Sequence, residues 1–151
     1  MASISEAAYA ALAAVLAPAF VPFGVDDFRR NVSALSDMKA LPAGGEIFAT
    51  LRDAGVEIDV ELLSPRSYEL MIRAQIELVV ADADDARRDA TFDEVLIAID
   101  DALDADRALD GAVTDAEIER LDPVDLAIEG AEGSKAALVT IRMLARSPRP
   151  F

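Results

Sequence analysis

Carboxylates are the only side chains with versatile chemistry that this chain carries in number: 29 acids against 14 bases, with no histidine and no cysteine. Asp82, Asp84 and Asp85 are the kind of hard-oxygen cluster that takes Ca²⁺. An EF-hand loop also needs Gly at its sixth position and Glu at its twelfth. Counted from Asp82, those positions hold Arg87 and Asp93, so a solvated charged surface is the better reading. Paired carboxylates for glycoside cleavage need a lined cleft, and aromatic residues make up only 5% of the chain. Nucleophilic triads built on His or Cys are excluded by composition. Ser64 and Ser67 have no base partner, and Gly44-Gly45 is followed by a strand pattern where a phosphate loop would lead into a helix. The expectation is no enzyme, no cofactor and no metal.

The charge speaks to partners. A net charge of −15 opposes binding to nucleic-acid backbones, which needs clustered Lys and Arg, and opposes docking on an anionic membrane. Residues 81–127 concentrate this, with sixteen acids against four bases. Absence of cysteine removes disulfides and fits a reducing cytoplasm. Residues 7–25 carry no charge, yet Glu6 stands where a basic leader would begin, and Pro18 and Pro22 interrupt the run. A buried helix followed by a turn is expected there, in a soluble, untargeted chain.

The elements that must position these residues follow from periodicity. Tyr68 to Val80 alternates apolar and polar over thirteen residues, and Val56, Ile58, Val60 and Leu62 alternate with Glu57, Asp59 and Glu61. Ser64 to Ser67 separates the two runs, so an antiparallel hairpin is expected, its second strand reaching roughly 44 Å at 3.4 Å per residue. So long a hairpin is suited to touching a neighbouring subunit. Ser3-Ile4-Ser5-Glu6 matches a capping box for a helix running to about Ala17, where Pro18 should stop it. That helix is apolar on more than one side, which hints at a subunit contact. Asp26 to Gly45 reads as a long surface loop, Glu46 to Arg52 as a short strand, and Asp53-Ala54-Gly55 as a turn. Asp82 to Asp89 reads as a charged linker, and Thr91 to Glu94 as a second capping box. Phe92, Val95, Leu96, Ile99, Ala102 and Leu103 then follow helical spacing, stopped near Gly111. Val124, Leu126 and Ile128 mark a further strand, Gly130 to Ser134 a turn, and Ala137, Val139, Ile141 and Met143 the last strand. An extended basic arm, about 145–151, ends the chain.

The 151 residues therefore predict one α+β domain: a two-layer sandwich with a mostly antiparallel sheet of about five strands and two helices on one face, in the order α-β-β-β-α-β-β.

Several passages resemble phage tail terminators, the tail-completion group related to the minor tail protein U of lambdoid phages. They are Phe28-Arg29-Arg30-Asn31 with the loop to Leu41-Pro42, the hairpin through Pro65-Arg66-Ser67-Tyr68-Glu69, and Val79 to Asp84 leading into the second helix. Ala105 to Gly111 resembles the family's helix exit, and Asp122 to Gly133 with Lys135 to Ile141 resembles its closing strands. The long apolar first helix and the Arg-Pro tail depart from it. The resemblance implies a homo-oligomeric, hexameric ring in the tail-neck region of a virion, assembled in the bacterial cytoplasm. Its partners would be the tail tube protein and a head-side connector or stopper protein. DNA would pass through an acidic lumen without specific binding, because a negative wall repels phosphates. Candidate contacts to neighbouring subunits or the tube are Arg29, Arg30, Asn31, Lys39, Arg66, Tyr68, Arg73, Arg146 and Arg149. Another head–tail connector or minor tail component, or a non-viral acidic α+β binding module, would share the same composition. Phage and gene transfer agent remain equal alternatives.

Overall fold

A computed structural model describes residues 2–31, 46–124 and 133–151. Its elements are α1 (Ile4–Phe20), a short 3-10 turn (Val21–Phe23), β1 (Glu46–Leu63), β2 (Arg66–Ala81), α2 (Asp85–Ala105), β3 (Asp115–Val124) and β4 (Ser134–Ser147). The strands form one antiparallel sheet in the order β1-β2-β4-β3, and both helices pack on the same face of it. This is the α+β class that the periodicity predicts, with four strands where about five were expected.

β2 is the spine. Tyr68, Leu70, Ile72, Ala74, Ile76, Leu78 and Val80 are all buried on its helix-facing side, as strict alternation requires. They meet Ala8, Tyr9, Leu12, Leu16 and Phe20 of α1, and Phe92, Val95, Ile99 and Leu103 of α2. Val139, Ile141 and Met143 of β4 complete the core.

The missing strand is a merger. Asp53-Ala54-Gly55 is not a turn: β1 runs through it as one strand of 18 residues, with a register shift between Asp53 and Val56. Ala54 and Gly55 together face Arg73, and Gly55 takes φ +110°, a conformation that glycine alone adopts without strain. The extra residue is absorbed as a bulge, and the ladder resumes at Val56 opposite Ile72.

Two helix ends differ from expectation. Ser3 caps α1 by accepting the Glu6 N–H at 3.1 Å, the first half of its motif, while the Glu6 carboxylate goes to Arg30 instead of back to the Ser3 N–H. Pro18 does not stop the helix. Its missing N–H frees the carbonyl of Ala14, which is exposed to water, while burial of Phe20 holds the last turn in place. α1 runs past Pro18 to Phe20 and passes into the 3-10 turn, which ends at Gly24, φ +82°, where the Gly24 N–H returns to the Val21 carbonyl and the Val25 N–H to that of Phe20. α2 begins six residues before its expected box. Asp84 caps it by accepting the Arg87 N–H at 3.0 Å, and the charged run that reads as a linker forms the first turns. Nothing between Asp85 and Thr91 breaks a helix, so the upstream cap wins. After α2, Leu109, Asp110 and Gly111 all adopt positive φ. Both carboxylate oxygens of Asp106 accept the Asp110 N–H, and Leu109 is fully buried.

β3 lies earlier than predicted, at Asp115–Val124, while Leu126, Ile128 and the turn at Gly130 fall outside the described residues. The basic arm is shorter than expected. Arg146 and Ser147 belong to β4, paired with Glu69 and Tyr68, because the ladder with β2 extends to the end of the hairpin.

Candidate assembly surface

The open side of the sheet and the β1 edge carry the features that could meet another molecule. The two halves of β1 differ. At Leu51 and Asp53 its outer edge is closed by residues 29–31: the Leu51 N–H donates to the Arg29 carbonyl at 2.8 Å, and the Asn31 N–H donates to the Leu51 carbonyl at 2.6 Å. The Asp53 N–H donates to the Asn31 side-chain oxygen at 3.0 Å, an arrangement in which Asn31 takes φ +61°. From Val56 to Leu63 every residue is exposed. The five aliphatic side chains there range from 38% exposed at Val56 to 80% at Leu63.

Alternation in sequence places Val56, Ile58, Val60 and Leu62 on one side, and the structure divides them. Val56 and Ile58 pair with Ile72 and Leu70 on the helix face. A second bulge between Ile58 and Val60 shifts the register, so Val60 and Leu62 pair with Glu69 and Ser67 on the open face. One inserted residue exchanges the sides of all that follow.

Arg30 fastens the closed half. Its guanidinium lies 5.0 Å from the centre of the Tyr9 ring and makes two-pronged ion pairs with both Glu6 and Asp53, each closest at 2.7 Å. Hydrogen bonding to Arg30 holds the carboxyls of Glu6 and Asp53 below their ordinary values, and the same bonds raise Arg30. Burial pushes the Tyr9 hydroxyl up.

The open face is a lattice of opposite charges. Arg73 joins Glu57 on β1 to Glu119 on β3, at 2.9 Å each, spanning the whole sheet. Arg146 pairs with Glu69 at 2.7 Å, Arg142 with Glu117, Arg107 with Asp115 at 2.7 Å, and Arg52 with the buried Glu77 at 2.7 Å. Bonds from Glu119 and Glu57 raise Arg73, and Arg73 in turn lowers Glu119. Between Arg52, Val79, Val124 and Ala136 the face dips into a mostly apolar hollow of about 250 Å³. The exposed side of α2 carries Asp85, Asp89, Asp93, Glu94, Asp100, Asp101 and Asp104, as helical spacing predicts.

The candidate contacts do not gather into one basic patch. Arg30 and Asn31 are engaged as fasteners, Asn31 remaining exposed, and Arg29 supplies a backbone carbonyl to β1 while its side chain pairs with Asp27 at 3.3 Å. Arg73 and Arg146 belong to the charge lattice. Tyr68 is buried beneath Arg66, whose guanidinium lies 5.6 Å from the ring centre and also pairs with Glu61 at 3.2 Å. Arg149 is exposed on the terminal arm, its N–H bonded to the Ser147 hydroxyl at 3.0 Å. Lys39 lies outside the described residues. Sequence reading missed Glu6, Tyr9 and Asp53 as the partners of Arg30. Their separation along the chain hides them.

Among the described residues, no group of three or more acids is arranged to hold a metal ion. Asp82 is engaged by the Arg87 side chain and the Asp84 N–H, which hold its carboxyl down to about 2. Ile4–Phe23 is long and apolar enough to cross a membrane by length and mean hydropathy, and in this fold its buried row, Ala8, Leu12, Leu16 and Phe20, packs on the sheet.

No family model matches the chain, and neither does any curated protein.

Proposed function

We propose that this protein is a structural subunit of a ring that ends a phage-type tail tube and joins it to the head-side connector. The observation that carries the reading is the edge strand Val56–Leu63: an eight-residue stretch that leaves the cover of the helices and exposes aliphatic side chains on both faces of the sheet. Exposed aliphatic side chains gathered on an edge strand are a feature of surfaces that meet another molecule. The apolar outer side of α1, with Ala10, Ala14, Pro18 and Val21 exposed, offers a second surface to a neighbour. A head-to-tail ring uses two different surfaces of each subunit and closes by rotation.

The charge supports the same role. A net −15 with an acidic exposed side on α2 suits a wall past which DNA slides, since like charge raises the cost of contact with phosphates. In this reading the protein performs no catalysis, binds no cofactor, and works in the tail-neck region of the particle with the tube and connector proteins as partners. Six subunits per ring is the number that the resemblance implies.

Mass photometry with negative-stain imaging tests the proposal, with Mg²⁺ and salt titrated to screen repulsion between subunits. Rings of about six subunits, or caps on the ends of added tail tubes, are expected. A monomer at every salt concentration that also leaves tube ends bare overturns the reading.

A further inference from the structure

We infer that the open half of the β1 edge, Val56–Leu63, docks an extended segment of another protein in which basic and aliphatic side chains alternate. The inference deepens the assembly reading of this edge and rests on it, but it names a partner chemistry that a ring alone does not require.

The backbone argument comes first. Along the closed half, the Leu51 and Asp53 N–H groups point outward, to the Arg29 carbonyl and the Asn31 side chain. Leu51 and Asp53 pair with Ile76 and Ala74, and the same alternate set on β2 continues to Ile72 and Leu70. An antiparallel ladder alternates its outward groups, so the peptide groups of Val56 and Ile58, opposite Ile72 and Leu70, also point outward. The Gly55 N–H is already taken by the Tyr9 hydroxyl at 3.2 Å. The row of open positions thus begins immediately beyond a fixed end, and a strand added there has a defined starting register. Adding a strand to a sheet edge is a general mode of peptide capture.

Charge then selects the occupant. Glu57, Asp59 and Glu61 punctuate this stretch, with no basic residue between Val56 and Leu63. Asp59 has no ion-pair partner among the described residues, and Glu57 shares Arg73 with Glu119. A second copy paired strand to strand is a poor occupant. Its own β1 edge repeats the three acids, and its β3 edge carries Asp115, Glu117, Glu119 and Asp122 against Arg120 alone. Like charges directly opposite each other destabilise a strand pair, and opposite charges stabilise it. The bulge sets the pattern that fits. Before the bulge, aliphatic side chains belong on the helix face beside Val56 and Ile58, with Lys or Arg on the open face beside Glu57. Beyond it the sides exchange, with Lys or Arg on the helix face beside Glu61 and aliphatic side chains on the open face beside Val60 and Leu62. No Pro removes a backbone donor from these eight residues, and the acids and the bulge that blunt the edge toward a like-charged strand leave it open to a basic one.

The probe is a fluorescently labelled eight-residue peptide of Val and Lys whose alternation reverses once, at the position facing the bulge, added to the full chain and followed by anisotropy and by hydrogen exchange. Binding is expected, with new amide protection confined to residues 56–63. A Val-Glu peptide, or a Val-Lys peptide N-methylated on alternate residues, should bind at least tenfold more weakly. Ile58→Pro removes an outward N–H and should abolish binding. Because that variant could disturb the hairpin, Asp59→Lys is the companion: it leaves the ladder intact and should weaken the Val-Lys peptide while strengthening the Val-Glu one. Equal binding of both peptides, protection located on α2, or indifference to Asp59→Lys overturns the inference. A dimer that forms at high salt and is abolished by Ile58→Pro also overturns it, since the occupant is then a second copy. Rings without peptide binding sink only this inference, and peptide binding by a permanent monomer sinks only the ring.

Discussion

The hydroxyl of Tyr9 and the backbone of Gly55 hold each other across the joint between α1 and the edge strand. The Gly55 N–H donates to the Tyr9 oxygen at 3.2 Å, and the hydroxyl hydrogen is directed at the Arg73 carbonyl, 3.0 Å away on β2. A side chain thus satisfies backbone groups that the bulge takes out of the ladder.

Tyr9→Phe removes that link and keeps the ring in the core. We expect a loss of about 1–2 kcal/mol, the ordinary consequence of leaving part-buried peptide groups unpaired. Urea unfolding measures the loss, and hydrogen exchange should accelerate at residues 54–63 more than along β4. A uniform change would place the effect in the core instead.

Gly55→Ala tests the bulge from the other side. An added Cβ meets nothing within 4 Å, so space is not at issue, but φ +110° is a conformation that L side chains rarely adopt. A loss of roughly 1–3 kcal/mol from backbone strain is expected. An unchanged melting curve would mean that the bulge relocates freely.

Acid should loosen the Arg30 fastening and the start of α2. Asp53 and Glu6 lie below 3.8 and 4.5 in the fold, and Asp82 lies at about 2 against 3.8. The unfolded chain therefore takes up protons first as pH falls. The stabilisation is complete above about pH 5 and is lost as pH drops through the folded values. Arg30→Gln removes the charge that lowers Asp53 and Glu6. Unfolding free energies of the two proteins should converge between pH 5 and pH 2, with the unaltered chain losing more. A constant difference across that range would assign Arg30 a role that does not depend on its carboxylate partners.

Core and edge should respond to truncation very differently. Ile72 is fully buried in β2, so Ile72→Ala is expected to lose about 2–5 kcal/mol. Leu63, at the hairpin end, is largely exposed, and Leu63→Ala should stay within about 0.5 kcal/mol. If Leu63→Ala instead reduced ring formation or tube capping, its exposure would be functional.

What the sequence determined by itself was the class of fold and its spine. Period two along Tyr68–Val80 fixes which side chains enter the core, because successive residues of a strand point to opposite faces whatever they pair with. Helical spacing from Phe92 to Leu103 did the same for α2, and the Ser3 box located the start of α1. These are local regularities, and local geometry is enough to read them.

Tertiary structure alone decided the rest. Asp53-Ala54-Gly55 has the composition of a turn, and it becomes a bulge because β2 runs on past it and the hydroxyl of Tyr9, forty-six residues away, accepts the Gly55 N–H. Val60 and Leu62 continue the alternation of Val56 and Ile58, but a register shift against β2 puts them on the other face. Arg29-Arg30-Asn31 has the look of a free basic patch, until folding brings Glu6 and Asp53 to Arg30 and Leu51 to the backbone beside it. In each case the outcome depends on groups distant in sequence, whose positions are set only when the hydrophobic core closes.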